Sequence, residues 1–80
     1  MPQLELRYYA QLRDQARIST ERVETGATSP ASLYEQLRER HGFSLPTSLL
    51  KVAVNARFCG WDHPLNDGDT VVFIPPVNGG

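Results

Sequence analysis

The chain has 80 residues, of which 40% are hydrophobic, and eight basic side chains against nine acidic ones leave a net charge of −1. This length favours one domain over residues 1–80, and the balanced charge argues against a nucleic-acid binder. One cysteine excludes an internal disulfide, and together with two histidines it is a poor set of zinc ligands. No apolar run approaches the ~18 residues of a membrane helix, and Met1–Ala10 lacks a signal-peptide pattern. We therefore expect a cytoplasmic domain with no membrane partner.

The N-terminal part predicts two strands separated by a short helical segment. Gln3–Tyr8 alternates apolar and polar residues, as a strand with one buried face does, and the alternation places Tyr9 on the opposite face. Ala10–Ala16 suits one or two helical turns. Ser19–Glu24 alternates more weakly and predicts a second, more exposed strand.

The main helix is predicted between Ser29 and Gly42. Ser29 offers a capping hydroxyl, and Pro30 suits the first helical position. Gly42 suits the position after the last turn. The apolar residues at helical spacing, which should face the core, are Leu33, Tyr34 and Leu37.

The C-terminal half predicts strands and turns but no further helix. Leu50–Val54 alternates again, and Asn55-Ala56 forms a tight turn into a strand over Arg57–Trp61. After a turn-rich segment, the β-branched and aromatic residues of Thr70–Ile74 are typical of a central strand. The whole pattern indicates an α+β domain, a mixed sheet of about five strands with one main helix packed across it.

Side chains that could carry chemistry are few and poorly placed. His41 stands at a helix end and His63 in a turn, where both are expected to be exposed or locally hydrogen-bonded. Cys59 has only Arg57 as a nearby cation and is expected to be a small, partly buried thiol. Three aspartates lack the spacing of a calcium loop and indicate turns instead: Asp62, Asp67 and Asp69. The chain therefore shows no catalytic machinery or metal site of its own.

The C-terminal segment is different. It is expected to leave the last strand as an extended tail, spanning about 20 Å, that consists of Pro75, Pro76, Val77, Asn78, Gly79 and Gly80. Glycines without side chains fit a channel too narrow for other residues. The terminal carboxylate is ionised at neutral pH and resists nucleophiles, so it must be activated. Because the chain has no nucleotide-binding loop, a partner would form the acyl-adenylate from ATP. The tail is then a substrate.

A set of apolar residues is predicted on the sheet face opposite the core, near the tail. If the last strand lies beside the first, this set consists of Tyr9, Phe58, Val72 and Ile74. Exposed apolar patches of this kind mark partner surfaces. The alternative is that a loop of the same chain covers this face.

Four segments carry a resemblance to the β-grasp, ubiquitin-like sulfur-carrier family that includes the small subunits of molybdopterin synthase. They are Leu4–Asp14, Val52–Asn55, Asp62–Asp69 and Phe73–Gly80. The resemblance spans nearly the whole chain, and its most specific part is the ending Pro-Pro-Val-x-Gly-Gly. Residues 20–47 contribute little to it.

The resemblance implies a mechanism and a set of partners in molybdenum cofactor biosynthesis. A ubiquitin-activating-type adenylyltransferase would adenylate Gly80, and a persulfide donor protein would supply the sulfur of a thiocarboxylate. The tail would then enter the active site of the large synthase subunit and donate sulfur to cyclic pyranopterin monophosphate. Two carriers and two large subunits form the family's heterotetramer, and no cofactor is expected on the carrier. Tyr9, Phe58 and Ile74 match positions that dock against partners.

Three other functions remain open at this point. A terminal Gly-Gly also fits the sulfur carrier of thiazole (thiamine) synthesis, or a ubiquitin-like modifier that forms isopeptide bonds with lysines. A plain β-grasp binding module, in which the tail has no chemical role, is the third. The modifier and the binding module differ from a sulfur carrier in what becomes of the C-terminal carboxyl group.

Overall fold

The computed structural model describes residues 2–76. They form one five-stranded mixed sheet, two α-helices and a short 3-10 helix, which confirms the predicted β-grasp class. The shorter α-helix coincides with the helical turns predicted at Ala10–Ala16, and the 3-10 helix was not predicted. The strands are β1 (Gln3–Arg7), β2 (Thr20–Glu24), β3 (Lys51–Val54), β4 (Arg57–Cys59) and β5 (Thr70–Ile74). The helices are α1 (Ala10–Ala16) and α2 (Pro30–His41), and the 3-10 helix is Thr47–Leu49.

The first and last strands are neighbours at the centre of the sheet, the arrangement on which the predicted apolar set depended. The order is β2-β1-β5-β3-β4, in which β1 and β5 are parallel and place Leu6 opposite Val71. The other neighbouring pairs are antiparallel. The predicted strands are slightly too long, since β1 ends at Arg7 and β4 at Cys59. Because of this central position, Pro75 and Pro76 follow the middle strand of the sheet.

Helix α2 begins and ends as its sequence predicts. The Ser29 hydroxyl accepts a hydrogen bond from the Ser32 N–H at 3.3 Å, and the Ser32 hydroxyl is 3.3 Å from the Ser29 N–H, which closes a capping box. Gly42 follows the helix with a φ of +74°, a conformation that favours glycine, and its N–H donates to Arg38 O at 2.8 Å.

The core lies between the sheet and α2. Its aromatic centre is Tyr34, whose ring stacks on Phe43 and meets Phe73 edge to face, with ring centres 5.7 and 5.1 Å apart. The Tyr34 hydroxyl donates to Leu45 O at 2.7 Å, so this buried hydroxyl has a hydrogen-bond partner. The fully buried aliphatic side chains around it are Leu4, Leu6, Leu12, Leu33, Val52 and Val71.

A tight turn at Asn55-Ala56 joins β3 to β4 and is held from the start of β5. Both residues have positive φ, +52° and +70°, as hairpin turns of this kind require. The Asn55 amide donates to Asp69 at 2.9 Å and its oxygen accepts from the Thr70 N–H at 2.9 Å. Asp69 also accepts from the Asn66 N–H at 2.8 Å. The aspartate therefore acts in turn formation, as the sequence indicates.

Three side chains, from the residue after β1, from β2 and from the last residue of α2, form a polar network beside the core, here called the Tyr8–Glu21–His41 network. The Glu21 carboxylate accepts a hydrogen bond from the Tyr8 hydroxyl and lies 2.6 Å from His41 Nε2, with Arg40 Nη1 at 3.6 Å. Burial alone would raise the pKa of Glu21, but the hydrogen bonds from Tyr8 and His41 and the neighbouring positive charges hold it below its ordinary value. Burial, reinforced by Glu21, raises the pKa of Tyr8 well above its usual range.

Replacing this carboxylate tests the network. We expect Glu21→Gln to lower the free energy of unfolding by about 1–3 kcal/mol at neutral pH, because two buried donors lose a charged acceptor. Since the pKa of folded Glu21 lies below its ordinary 4.5, the stability it provides is present above that pH and disappears as the pH falls through the folded-state pKa. Denaturant unfolding at a series of pH values should show the two proteins converging in acid.

The matched control for this experiment is Glu39→Gln, on the exposed side of α2. It should change the free energy of unfolding by less than about 0.5 kcal/mol. A difference between wild type and Glu21→Gln that stays constant across acidic pH would contradict a role for the ionised carboxylate.

The turn offers a second stability test, since Ala56 occupies the left-handed region that glycine adopts without strain. Ala56→Gly should raise the free energy of unfolding by about 0.5–1 kcal/mol. The reason is that the backbone strain it removes from the folded state costs more than the conformational entropy that glycine adds to the unfolded chain. Thermal unfolding should show a midpoint higher by roughly 3–6 °C. Ala53→Gly, in the adjoining strand β3, should lower the midpoint instead. A lower midpoint for Ala56→Gly would show that the turn is unstrained.

Candidate functional site

The chain leaves the sheet at the end of β5. The strand ends at Ile74, Pro75 is still buried and Pro76 is exposed. The remaining residues of the predicted tail, Val77, Asn78, Gly79 and Gly80, lie outside the described residues. The extended form of the tail and its threading into a partner therefore stay predictions, and the described site is the surface where the tail begins.

This surface is the sheet face opposite α2, here called the outer face. Its central row runs across four strands, because Val72 pairs with Arg7 on one side and with Ala53 on the other, and Ala53 pairs with Phe58. Phe58 is 71% exposed and Val72 is half-buried. No segment within residues 2–76 covers Phe58, so the described chain supplies no loop for this part of the face.

An apolar groove of about 490 Å³ borders this row at the tail, and we call it the exit groove. The residues that line it are Leu49, Lys51, Phe58, Ile74, Pro75 and Pro76. Strand pairing places Lys51 beside Ile74, so the lining includes one basic residue. A groove of this kind can take an apolar side chain of a partner protein. A carboxylate or carbonyl oxygen of the partner beside that side chain can accept a hydrogen bond from Lys51.

The structure brings some of the predicted interface residues together and leaves one apart. Phe58 and Ile74 line the exit groove, and Val72 adjoins it in the central row. Tyr9 is 49% exposed but lies just before α1, outside the groove lining. All four residues keep an accessible surface, and their role in docking stays a prediction.

Sequence reasoning missed two residues of the exit groove, Leu49 and Lys51. Lys51 could have been found, because alternation with the buried Leu50 and Val52 places it on the same face as Ile74. Leu49, which is 54% exposed, belongs to the 3-10 helix, for which the sequence had no periodic signal.

The remaining candidates for chemistry occupy structural positions. Cys59 is half-buried at the end of β4, and burial raises the pKa of its thiol, which leaves it a weak nucleophile. His63 is exposed, while His41 is hydrogen-bonded to Glu21 of another element rather than locally. Among residues 2–76, no cluster of three or more His, Cys, Asp or Glu side chains is placed to hold a metal ion. Neither helix in this part of the chain is long and apolar enough to cross a membrane.

Comparison with known proteins gives consistent results. The chain is 38% identical to the molybdopterin synthase sulfur carrier subunit of Escherichia coli strain K12, in a match covering 91% of this chain and 94% of that protein. A putative molybdopterin converting factor, subunit 1, from Pyrococcus furiosus superposes with a TM-score of 0.79 at 28% identity, covering 96% of this chain and all of the other.

A third relative is known in a complex. A chain in the complex of subunits 1 and 2 of molybdopterin-converting factor from Helicobacter pylori superposes with a TM-score of 0.68 at 24% identity, covering 98% of this chain and 99% of that one, which shows the shared fold. The model of the ThiS family matches residues 6–80, nearly the whole chain and including the terminal Gly79-Gly80. The chain therefore belongs to the ThiS family.

Proposed function

We propose that this chain is the sulfur-carrier subunit of a molybdopterin synthase. The observation that carries the proposal is the exit groove, an exposed apolar surface at the point where the chain leaves the sheet toward Gly79-Gly80. Membership of the ThiS family and the 38% identity to the Escherichia coli carrier support it. The sulfur-carrying group is the C-terminal carboxyl of Gly80, and the groove is the surface by which partners recognise the carrier.

The proposed chemistry follows from the stability of a carboxylate. An ionised carboxylate resists nucleophiles, so an activating partner related to the ubiquitin-activating enzymes joins Gly80 to AMP, with ATP as its substrate and pyrophosphate as the leaving group. Sulfur from a protein persulfide then displaces AMP, and thiol cleavage of the resulting acyl disulfide releases a thiocarboxylate. This group donates sulfur to cyclic pyranopterin monophosphate. The carrier supplies the reacting atom and the partners supply the catalytic side chains.

The proposed partner in the transfer step is the large subunit of the synthase. The complex of subunits 1 and 2 from Helicobacter pylori supports this pairing. Docking at the exit groove would hold the tail at a fixed distance from the partner's active site and turn an encounter into an oriented delivery. Two carriers and two large subunits would form the assembly.

Removal of the last two residues tests the role of the C-terminus. A chain lacking Gly79 and Gly80 should accept no sulfur and support no molybdopterin formation, because the reacting carboxyl group is displaced. Its midpoint of thermal unfolding should match wild type, since the hydrophobic core of the described residues is formed between Leu4 and Phe73, before the deleted positions. The measurements are intact mass after incubation with the activating enzyme, ATP and a persulfide donor, and molybdopterin formation with the large subunit.

The same mass measurement separates a carrier from a modifier. Wild type should gain the mass of one oxygen-to-sulfur exchange at Gly80. A ladder of larger conjugates to lysines of other proteins, without this exchange, would contradict the proposal. Retained activity in the truncated chain would instead indicate a binding module whose tail has no chemical role.

Substitution in the exit groove tests docking. Phe58→Asp should weaken binding to the large subunit by about 2 kcal/mol, roughly thirtyfold, because it places a charge at the centre of an apolar contact. The fold should tolerate the change, because the Phe58 side chain is already 71% exposed. Calorimetric titration of the carrier with the large subunit measures the effect.

Ile18→Asp is the matched control, since Ile18 is another large apolar residue at the surface, 39% exposed, and lies outside the groove lining. It should leave the dissociation constant within about twofold of wild type. Equal losses in the two variants would show that the exit groove has no special part in docking.

A further inference from the structure

The sheet has an open edge at β2, on the side away from the exit groove. The order β2-β1-β5-β3-β4 makes β2 a terminal strand, while the groove is lined from β3, β4 and β5. β2 is five residues long, and its sequence is Thr-Glu-Arg-Val-Glu. An open edge of this length presents backbone donors and acceptors to which another strand can bind.

The hydrogen bonds to β1 determine which backbone groups of β2 are free. Tyr8 N–H donates to Ser19 O at 2.8 Å, and Thr25 N–H donates to Pro2 O at 3.0 Å. In an antiparallel pair such contacts fall on alternate residues, so odd-numbered residues from 19 to 25 face β1. The N–H and C=O groups that point away from the sheet therefore belong to Thr20, Arg22 and Glu24.

When two copies of β2 pair with each other, one register places Arg22 of each copy opposite Glu24 of the other. Two antiparallel copies of β2 can pair so that Arg22, Val23 or Glu24 lies opposite the same residue of the second copy. In each of these registers, the residues whose backbone groups point away from the sheet remain opposite one another. Centring on Arg22 or on Glu24 places like charges face to face. Centring on Val23 places Arg22 opposite the second copy's Glu24 twice, and both pairs fall at hydrogen-bonded positions.

Neither Arg22 nor Glu24 forms an ion pair within the described residues. Among residues 2–76, Glu24 contacts only the Gln3 side-chain amide at 3.5 Å. Glu5 of β1 pairs with Arg22 across the sheet. In the Val23-centred register, each Arg22 would stand between Glu5 of its own chain and Glu24 of the second copy, a continuous alternation of charge.

The inner side of the same edge has room for the second copy. A cavity of about 220 Å³ lies between β2 and α2, with Val23, Leu33 and Leu37 among its lining and Arg40 at its rim. Val23 occupies a position without outward hydrogen bonds, where side chains of paired strands come closest. The second copy's Val23 would therefore border this cavity on the side of the first copy's Val23.

We propose that two copies of this chain associate through their β2 edges, antiparallel and centred on Val23, to form a continuous ten-stranded sheet. The contact is small, so the dimer is weak and depends on concentration. Both exit grooves remain accessible, because their strand residues come from β3, β4 and β5 and none comes from β2. The proposal is independent of the sulfur-carrier function.

Charge reversal tests this register on the full chain. Arg22→Glu and Glu24→Arg should each raise the dimer dissociation constant at least about tenfold, because two attractive pairs become two repulsive ones. The double variant Arg22→Glu/Glu24→Arg should restore wild-type association. An equimolar mixture of the two single variants should form heterodimers, since one chain then carries two acidic and the other two basic residues.

Sedimentation equilibrium from micromolar to millimolar protein measures the association. Arg57→Glu, an exposed charge reversal on the opposite edge strand β4, is the matched control and should dimerise like wild type. In wild type, hydrogen exchange at the Arg22 and Glu24 amides should slow as concentration rises. A monomer throughout the range, unchanged exchange at these two amides, single variants that associate like wild type, or a double variant that stays monomeric would each overturn the proposal.

Discussion

The parallel pairing of β1 with β5 is the constraint on which the rest of the structure depends. Parallel neighbours cannot be joined by a hairpin, so the intervening chain must cross the sheet, and α2 does so over the inner face. The pairing buries Leu6 and Val71 completely beneath that helix. It also places the end of β5 beside β3, where the exit groove forms. The site is thus a consequence of how the first and last strands pair.

Local signals made much of the fold predictable from sequence. Alternation identified β1, β-branched and aromatic residues identified β5, and Ser29 with Gly42 marked the ends of α2, because each of these features depends on residues close together in the chain. The Tyr8–Glu21–His41 network could not be predicted, since its members come from three separate segments whose packing no local pattern specifies. The exit groove was half predictable: alternation identifies Ile74 and Lys51, whereas Leu49 depends on the 3-10 helix before β3.

The two faces of the sheet have different tasks. Helix α2 covers the inner face, so a partner must bind this chain at the outer face, the edges or the tail. The outer face carries the apolar exit groove with Lys51 in its lining, and an apolar surface of this kind serves recognition. This division explains how a domain poor in reactive side chains can take part in a chemical reaction: the proposed reacting group is a main-chain carboxyl.

The Tyr8–Glu21–His41 network also limits how pieces of this fold can be exchanged between related proteins. It joins the residue after β1, strand β2 and helix α2 through a single carboxylate, so a graft of β2 alone would leave a buried hydroxyl and an imidazole without their acceptor. A graft that carries residues 8–41 as one block keeps all three partners. Recombination within the family should therefore tolerate crossovers after α2 far better than crossovers between β1 and α2.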